Sequence, residues 1–347
     1  KFVMKVLIVA RGYPTEKYKM NGIFEFDQAK ALVEAGADVI YAAIDARSIR
    51  RWRKWGIETK TIEGVKIYAL NLPLGRIPKP LLRIVSEFGL DYLYRRIIKE
   101  SGNPDVVHAH FTEIGYLTSK IKLKHNFSLV FTEHYSQIMK DKIEPKLLEI
   151  AKDTYRSSDV VIAVSIKLKQ LIQDKFCIDA EYIPNIVDTK LFKYTPRKKT
   201  DNYNFVSVGN LKYGKRMDLL IEAFTFAFRN NSKVSLTIFG EGPERQKLEM
   251  LIKKSNMEGR ITLKGMQPRE VIAEFLSQSD CFVLPSQSET FGVAYVEAMA
   301  SGLPVIATKC GGPESFVNKE NGILVPVDDM NTLIKSMQSV YENNNVY

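Results

Sequence analysis

Short apolar runs, ended by glycine, proline or polar residues, alternate along the chain with longer stretches whose apolar positions fall three and four apart. Lys5–Ala10, Val39–Ala43, Asp105–Phe111, Ser128–Phe131, Asp159–Val164, Phe205–Val208, Val234–Phe239, Ile261–Lys264, Cys281–Leu284 and Val305–Thr308 read as strands. Phe24–Glu34, the basic stretch from Ser165 to Phe176, Met217–Arg229, Gly292–Ala300 and Met330–Tyr341 read as helices, with Gly36 and Gly302 placed as C-terminal caps. Strand and helix in alternation predict an α/β protein with parallel sheets, right-handed crossovers and ligands at the carboxyl ends of the strands. A length of 347 residues suits two domains better than one. The polar stretch Thr195–Asn204 is the expected linker, giving domains 1–195 and 196–347.

One stretch concentrates the candidate chemistry. From Cys281 to Gly312 the pattern is strand, loop, helix, strand, so the loop 286–291 falls at the ligand edge of its sheet. Backbone amides of Thr290, Phe291, Gly292 and Val293 would then point out of a helix N-terminus, where a phosphate is the natural occupant. Glu289 and Glu297 bracket that position, and if the helix starts near Glu289 the two carboxylates share a face. By local chemistry alone they are either ligand contacts or a dipole-complementing charge and a solvated helix residue.

Composition narrows the classes. The apolar fraction of 45% is that of an ordinary globular core, and no apolar run approaches the ~20 residues needed to cross a bilayer. The opening Lys1-Phe2-Val3-Met4-Lys5 leads into a strand rather than a signal peptide, so a cytoplasmic location is expected. Cys177, Cys281 and Cys310 lie too far apart for local zinc spacing, and Cys281 reads as a small buried thiol.

The net charge of +10 is unevenly placed, since thirteen basic residues face four acidic ones between Arg47 and Lys99. Arg50-Arg51-Trp52-Arg53-Lys54-Trp55 and, further on, Leu81, Arg83, Tyr92 and Arg95 interleave cations with apolar rings, as an anionic membrane surface requires. A solvated basic face is the plainer alternative, and no nucleic-acid motif accompanies the charge. Side-chain alternation puts His108 and His110 on one face of their strand, His108 as a packed core residue and His110 at the ligand edge.

The run Pro285-Ser286-x-x-Glu289-x-Phe291-Gly292-x4-Glu297-Ala298-Met299-Ala300-x-Gly302-x-Pro304-Val305 resembles the Glu-x7-Glu signature of retaining glycosyltransferases of family 4. Asp105-x-x-His108-x-His110, Thr132-x-His134, the interdomain segment Tyr182–Phe192, Gly240-Glu241-Gly242 and Gly265-Met266 extend the resemblance over nearly the whole chain. It implies the GT-B fold, two facing Rossmann-like domains with an interdomain cleft, acceptor on the first and nucleotide-sugar donor on the second.

The roles it implies fall on particular residues of this chain. Glu297 would hold the donor ribose, Glu289 would lie by the sugar ring, and the amides of Thr290, Phe291, Gly292 and Val293 would hold the diphosphate. Lys215 would neutralise that diphosphate, and Gly240 and Met266 would stand at the sheet edge, the latter near the base. His110 would face the cleft and orient the sugar, and His134 would line the acceptor side. Asn21-Gly22 stands where many relatives have a glycine pair, giving Gly22 an amide-cradle role. Asn210 stands where relatives carry arginine, and Arg216 replaces a glycine and would restore the charge if turned inward.

No Asp-x-Asp motif is present, so the resemblance implies neither metal nor cofactor, the nucleotide-sugar being a substrate. It points to a glycan or lipid-linked acceptor in cell-envelope or polysaccharide biosynthesis, handled at the inner membrane face. A GT-B epimerase or phosphorylase, or a non-catalytic binding subunit, are the alternatives. The fold's final crossover helix has no counterpart after Met330–Tyr341.

Overall fold

The computed structural model describes residues 3–16, 20–46, 54–75, 77–196 and 201–343. They pack as two units, one running to Val164 and including Leu168–Ile186, the other made of Ser165–Lys167 and the chain from Val187. The division precedes the polar stretch expected as the linker, because Val187, Leu191 and Phe192 already pack on the second core.

The first unit is built on β1 (Lys5–Ala10), β2 (Asp38–Asp45), β3 (Gly56–Ile62), β4 (Val65–Asn71), β5 (Val106–His110), β6 (Leu129–Glu133), β7 (Val160–Ala163) and β8 (Glu181–Tyr182). Its helices are α1 (Ile23–Glu34), α2 (Lys79–Ser101), α3 (Thr112–His125), α4 (Pro145–Ser157) and α5 (Ile166–Phe176). The strands line up in the order β3-β4-β2-β1-β5-β6-β7-β8, parallel except for the β3–β4 pair. Central strands such as β1, apolar and buried from Val6 to Ala10, are so because parallel sheets are covered on both faces.

The basic segment from Arg47 to Lys99 is therefore not one surface element. Residues 47–53 and 76 lie outside the described residues, and the remainder holds the β3–β4 hairpin, with Val65, Ile67 and Tyr68 buried, and then α2. The hairpin turns on Glu63 and Gly64, both at positive φ (48° and 80°), the geometry a two-residue loop between twisted strands requires. Sequence patterning did not reveal it, since β3 is a half-exposed edge strand.

The second unit holds β9 (Tyr203–Val208), β10 (Val234–Phe239), β11 (Ile261–Gly265), β12 (Cys281–Leu284), β13 (Val305–Thr308) and β14 (Gly322–Val325). Its helices are α6 (Met217–Phe228), α7 (Arg245–Lys254), α8 (Arg269–Gln278), α9 (Val293–Ala300) and α10 (Met330–Glu342). The order β11-β10-β9-β12-β13-β14 is that of a dinucleotide-type doubly wound sheet, all parallel. Its core is Phe205, Phe224, Leu236, Phe282, Tyr295, Val305 and their neighbours.

Such sheets bind ligands where strand order reverses. In the first unit that point lies between β1 and β5, and in the second between β9 and β12.

Candidate active site

At the second unit's reversal point, β12 gives way to the loop that carries Glu289. Helix α9 begins only at Val293, so Glu289 is not on it, and the expected sharing of one helical face with Glu297 is corrected. Glu289 instead forms a parallel bridge with Gly311, its amide donating to Cys310 O at 3.3 Å while Gly312 N donates to Glu289 O at 2.8 Å. Gly312 is needed for this approach, since a Cβ there would fall 2.3 Å from Phe291 O. Thr308 Oγ1 and Tyr295 OH pin the same loop by donating to Ser286 O and Leu284 O.

The loop delivers the Glu289 carboxylate to Lys215, with Nζ 2.5 Å from Oε1, and Ser286 Oγ donates to the same oxygen at 2.7 Å. Lys215 comes from the turn after β9, which is fastened to the loop by Gln287 N donating to Gly214 O at 2.8 Å. Gly292, left-handed at φ 95°, starts α9 without a side-chain cap, and a Cβ on it would strike the Tyr295 ring. A cation, a carboxylate and a helix N-terminus thus meet at one point, a place suited to an anion.

Glu297 lies in α9 and is buried, and Arg269 Nη2 donates to its Oε1 at 2.8 Å. Arg269 also lies over the Phe192 ring, 5.1 Å from its centroid. Sequence reasoning missed Arg269, though a signal was present: a cation in a helix's first turn opposes the dipole and asks for a specific partner.

Gly240 and Gly265 stand at the carboxyl ends of β10 and β11, Gly240 N donating to Gly265 O at 2.9 Å. Gly240 is at φ 141°, and a Cβ on it would fall 1.9 Å from Gly209 O. Met266 follows with 64% of its surface exposed, and Asn210 is exposed at the end of β9. Arg216, the left-handed N-cap of α6, is held by Asp218 (3.1 Å) and by Asp328, so two carboxylates already meet the charge expected to stand in for the absent arginine.

At the first unit's reversal point the rings of His108, His110 and His134 form a column, with centroids 4.3 Å apart for the first pair and 5.3 Å for the second. His110 Nδ1 and His134 Nε2 share a hydrogen bond of 3.0 Å, and His108 Nε2 bonds Thr132 Oγ1 at 2.7 Å. Burial pushes His108 down to about 4 and His110 well below the usual imidazole range, so both rings are neutral at pH 7. Among the described residues His110 Nε2 is buried without a hydrogen-bond partner, a cost folds sustain at few positions.

Phe111, next in the chain, takes φ 67°, and its ring lies under the Arg11 guanidinium at 3.3 Å and beside His134 at 4.8 Å. The loop carrying His134 is fixed by the buried Glu133, which accepts from Thr112 Oγ1, Tyr155 OH and the amides of His134 and Tyr135. Burial raises the pKa of Glu133 while those four donors oppose the shift. Gly22, the left-handed N-cap of α1, packs against Gly12, whose oxygen a Cβ would approach to 2.1 Å.

The structure thus brings Lys215, Glu289 and the 290–293 turn together, with Glu297 one turn into α9 beside Arg269. His110 and His134 meet in the first unit, where Gly22 also lies.

Comparison with known proteins places the chain. N-acetyl-alpha-D-glucosaminyl L-malate synthase of Bacillus anthracis is 28% identical over 248 residues, 67% of this chain and 64% of that protein, so the chain spans less than two thirds of this relative. Among solved structures, sucrose-phosphate synthase of Thermosynechococcus elongatus superposes with TM-score 0.81 at 21% identity, covering 99% of this chain and 90% of the other. HepE of Anabaena in complex with UDP gives 0.72 at 18%, covering 98% and 90%. The lipopolysaccharide outer core galactosyltransferase WaaB gives 0.68 at 19%, covering 99% and 92%. At these identities the structures establish the fold, which is GT-B. The Glycosyltransferase Family 4 model matches residues 26–191 and the Glycosyl transferases group 1 model matches 188–347, and the chain belongs to this family of glycosyltransferases.

Proposed function

We propose that the chain is a retaining, metal-independent glycosyltransferase that moves a sugar from a nucleotide-sugar to a glycan or lipid-linked acceptor in envelope or polysaccharide synthesis. The observation that carries this is the meeting of Lys215 and Glu289 at the N-terminus of α9, with Glu297 one turn into the helix. The UDP bound by HepE and the lipopolysaccharide acceptor in the name of WaaB support the donor and acceptor classes.

In this reading the diphosphate lies over the amides of Thr290–Val293 and beside Lys215, which stabilise the charge that grows as the sugar's C1–O bond to phosphate breaks. Glu297, oriented by Arg269, receives the ribose hydroxyls, and Met266 marks where the base rests against backbone. Glu289, held by Lys215 and Ser286, lies by the sugar ring. The acceptor hydroxyl attacks C1 on the face the diphosphate leaves, and its proton passes to a diphosphate oxygen. His110, whose tautomer is tied to His134, orients the sugar rather than taking the proton.

The experiment is to follow the anomeric configuration by NMR during transfer to a soluble acceptor. Retention is expected, and an inverted product overturns the mechanism. The pairing of Arg216 with Asp218 and Asp328 favours a second reading, a donor-binding subunit without turnover, for which donor would bind and no transfer or hydrolysis would follow.

A further inference from the structure

Helix α2 is the longest among the described residues, and one stripe of it is largely exposed, Lys124 Nζ standing 5.8 Å from the Phe88 ring centroid. Leu81, Ile84, Phe88 and Tyr92 repeat at three- and four-residue spacing, so they lie along one face, with exposures from 48% (Leu81) to 67% (Phe88). Exposed apolar residues are ordinary when scattered, but a row of four is not. Arg95, beside Asp91, and Lys99 continue the same spacing toward the C-terminus, both exposed, whereas Lys79, two residues before Leu81, is exposed on the other side of the first turn. Among the described residues Lys79 and Lys99 have no ion-pair partner.

The stripe is also placed. Strand β4 is parallel to β2 and β1, so α2 sets out from the carboxyl edge of the sheet, the edge at which β5 ends in His110. Arg83, in the second turn of α2, donates to both oxygens of Glu113 at 2.9 and 2.8 Å, and Glu113 is in the first turn of α3, just after His110 and Phe111. The apolar end of the stripe is thereby tied to the histidine column, and its cationic end lies toward the opposite edge.

We propose that this face of α2 docks on an anionic lipid surface, Leu81, Ile84, Phe88 and Tyr92 entering the interface while Arg95 and Lys99 meet lipid headgroups. Anionic lipid rather than protein is the occupant because the polar positions continuing the stripe are cations with long stems, suited to headgroups above an apolar boundary. Docking there sets the bilayer beside the acceptor-side histidines. The inference rests on the reading of the chain as a glycosyltransferase, and narrows its acceptor to one anchored in a membrane.

The test is co-sedimentation of the whole chain with vesicles of phosphatidylcholine alone or with phosphatidylglycerol, at low and high salt, for wild type and Ile84→Glu/Phe88→Glu. Wild type should bind the anionic vesicles, lose binding as salt rises, and bind neutral vesicles weakly. The double variant should bind anionic vesicles roughly tenfold less or worse, with unchanged melting temperature because both positions are exposed. Arg95→Gln/Lys99→Gln should lower binding roughly 30-fold at low salt, since each cation at such a surface contributes about 1 kcal/mol and about 1.4 kcal/mol is tenfold. Equal binding by wild type and Ile84→Glu/Phe88→Glu overturns the proposal, as does equal binding of wild type to neutral vesicles. So does a wild-type dimer that the double variant converts to monomer without any vesicle binding. Vesicle binding needs no donor, so it stands or falls separately from transfer to a soluble acceptor, which both variants should leave unchanged.

Discussion

Lys215 Nζ lies 2.5 Å from Glu289 Oε1, bringing a cation from the turn after β9 against a carboxylate from the loop after β12. The pair spans the position where strand order reverses, and it sits at the open end of α9. The carboxylate holds the lysine in place, so a diphosphate entering there in this reading would need little reorganisation. Lys215→Met should lower kcat/KM about 100- to 1,000-fold, the range for losing one preorganised charge stabiliser. Glu289→Gln should lower kcat more than donor affinity, as for a contact that strengthens in the transition state. Steady-state kinetics beside donor-binding calorimetry separate the two, and equal losses in both quantities for Glu289→Gln would count against its role.

Arg269 and Glu297 act as a unit. Glu297→Ala should remove donor binding, since charge-assisted bonds to ribose are worth about 1.5 to 3 kcal/mol. Arg269→Met should weaken the donor as well, although in this reading it touches no part of it, because it fixes the Glu297 carboxylate at 2.8 Å. A double-mutant cycle on donor affinity checks this, with coupling of about 0.5 to 3 kcal/mol expected and strict additivity as the contrary result.

The strand, loop, helix and strand that carry Glu289 and Glu297 were largely legible before the structure. Gly292 and Gly302 bound α9 as read, and Gly302 N and Leu303 N close it by donating to Met299 O and Ala298 O. What was not legible is tertiary. The spacing of eight puts Glu289 and Glu297 on one face only if the helix starts near Glu289, whereas the backbone of Glu289 is held by Cys310 and Gly312, which no local pattern connects to it. Likewise the charge of Arg216 was visible, but not that Asp328, far along the chain, would meet it. The stacking of His108 with His110 followed from strand alternation, while the bond from His110 to His134 depended on the β5–β6 register.

Acid should destabilise the first unit through its buried rings. His108 protonates near 6.5 in the unfolded chain but only at about 4 in the fold, owing to burial, and His110 is displaced the same way. Below 6.5 the unfolded state therefore binds more protons, so stability is full above that pH and falls as pH drops toward 4. His108 alone accounts for a loss on the order of 3 kcal/mol. Chemical denaturation between pH 7 and 4 checks this. His108→Gln should flatten the slope, and an unchanged slope is the contrary result.

Chelation should leave transfer intact if, as proposed, the charge on the leaving diphosphate is met by Lys215 and the amides of Thr290–Val293. Activity after EDTA treatment and desalting should match the untreated enzyme. Loss that magnesium or manganese restores would show that a metal ion supplies the charge instead.

The central claim is that the second unit binds a nucleoside diphosphate sugar through the loop carrying Glu289 and the helix carrying Glu297. It is tested most directly by thermal unfolding of wild type and Glu297→Ala with a panel of UDP-, GDP- and ADP-sugars. One base class should stabilise the wild type, by ~2.7 kcal/mol at a hundred times Kd. The same ligand should leave the melting temperature of Glu297→Ala unmoved. Stabilisation of both proteins to the same extent, or of the wild type by none of the panel, would contradict the account.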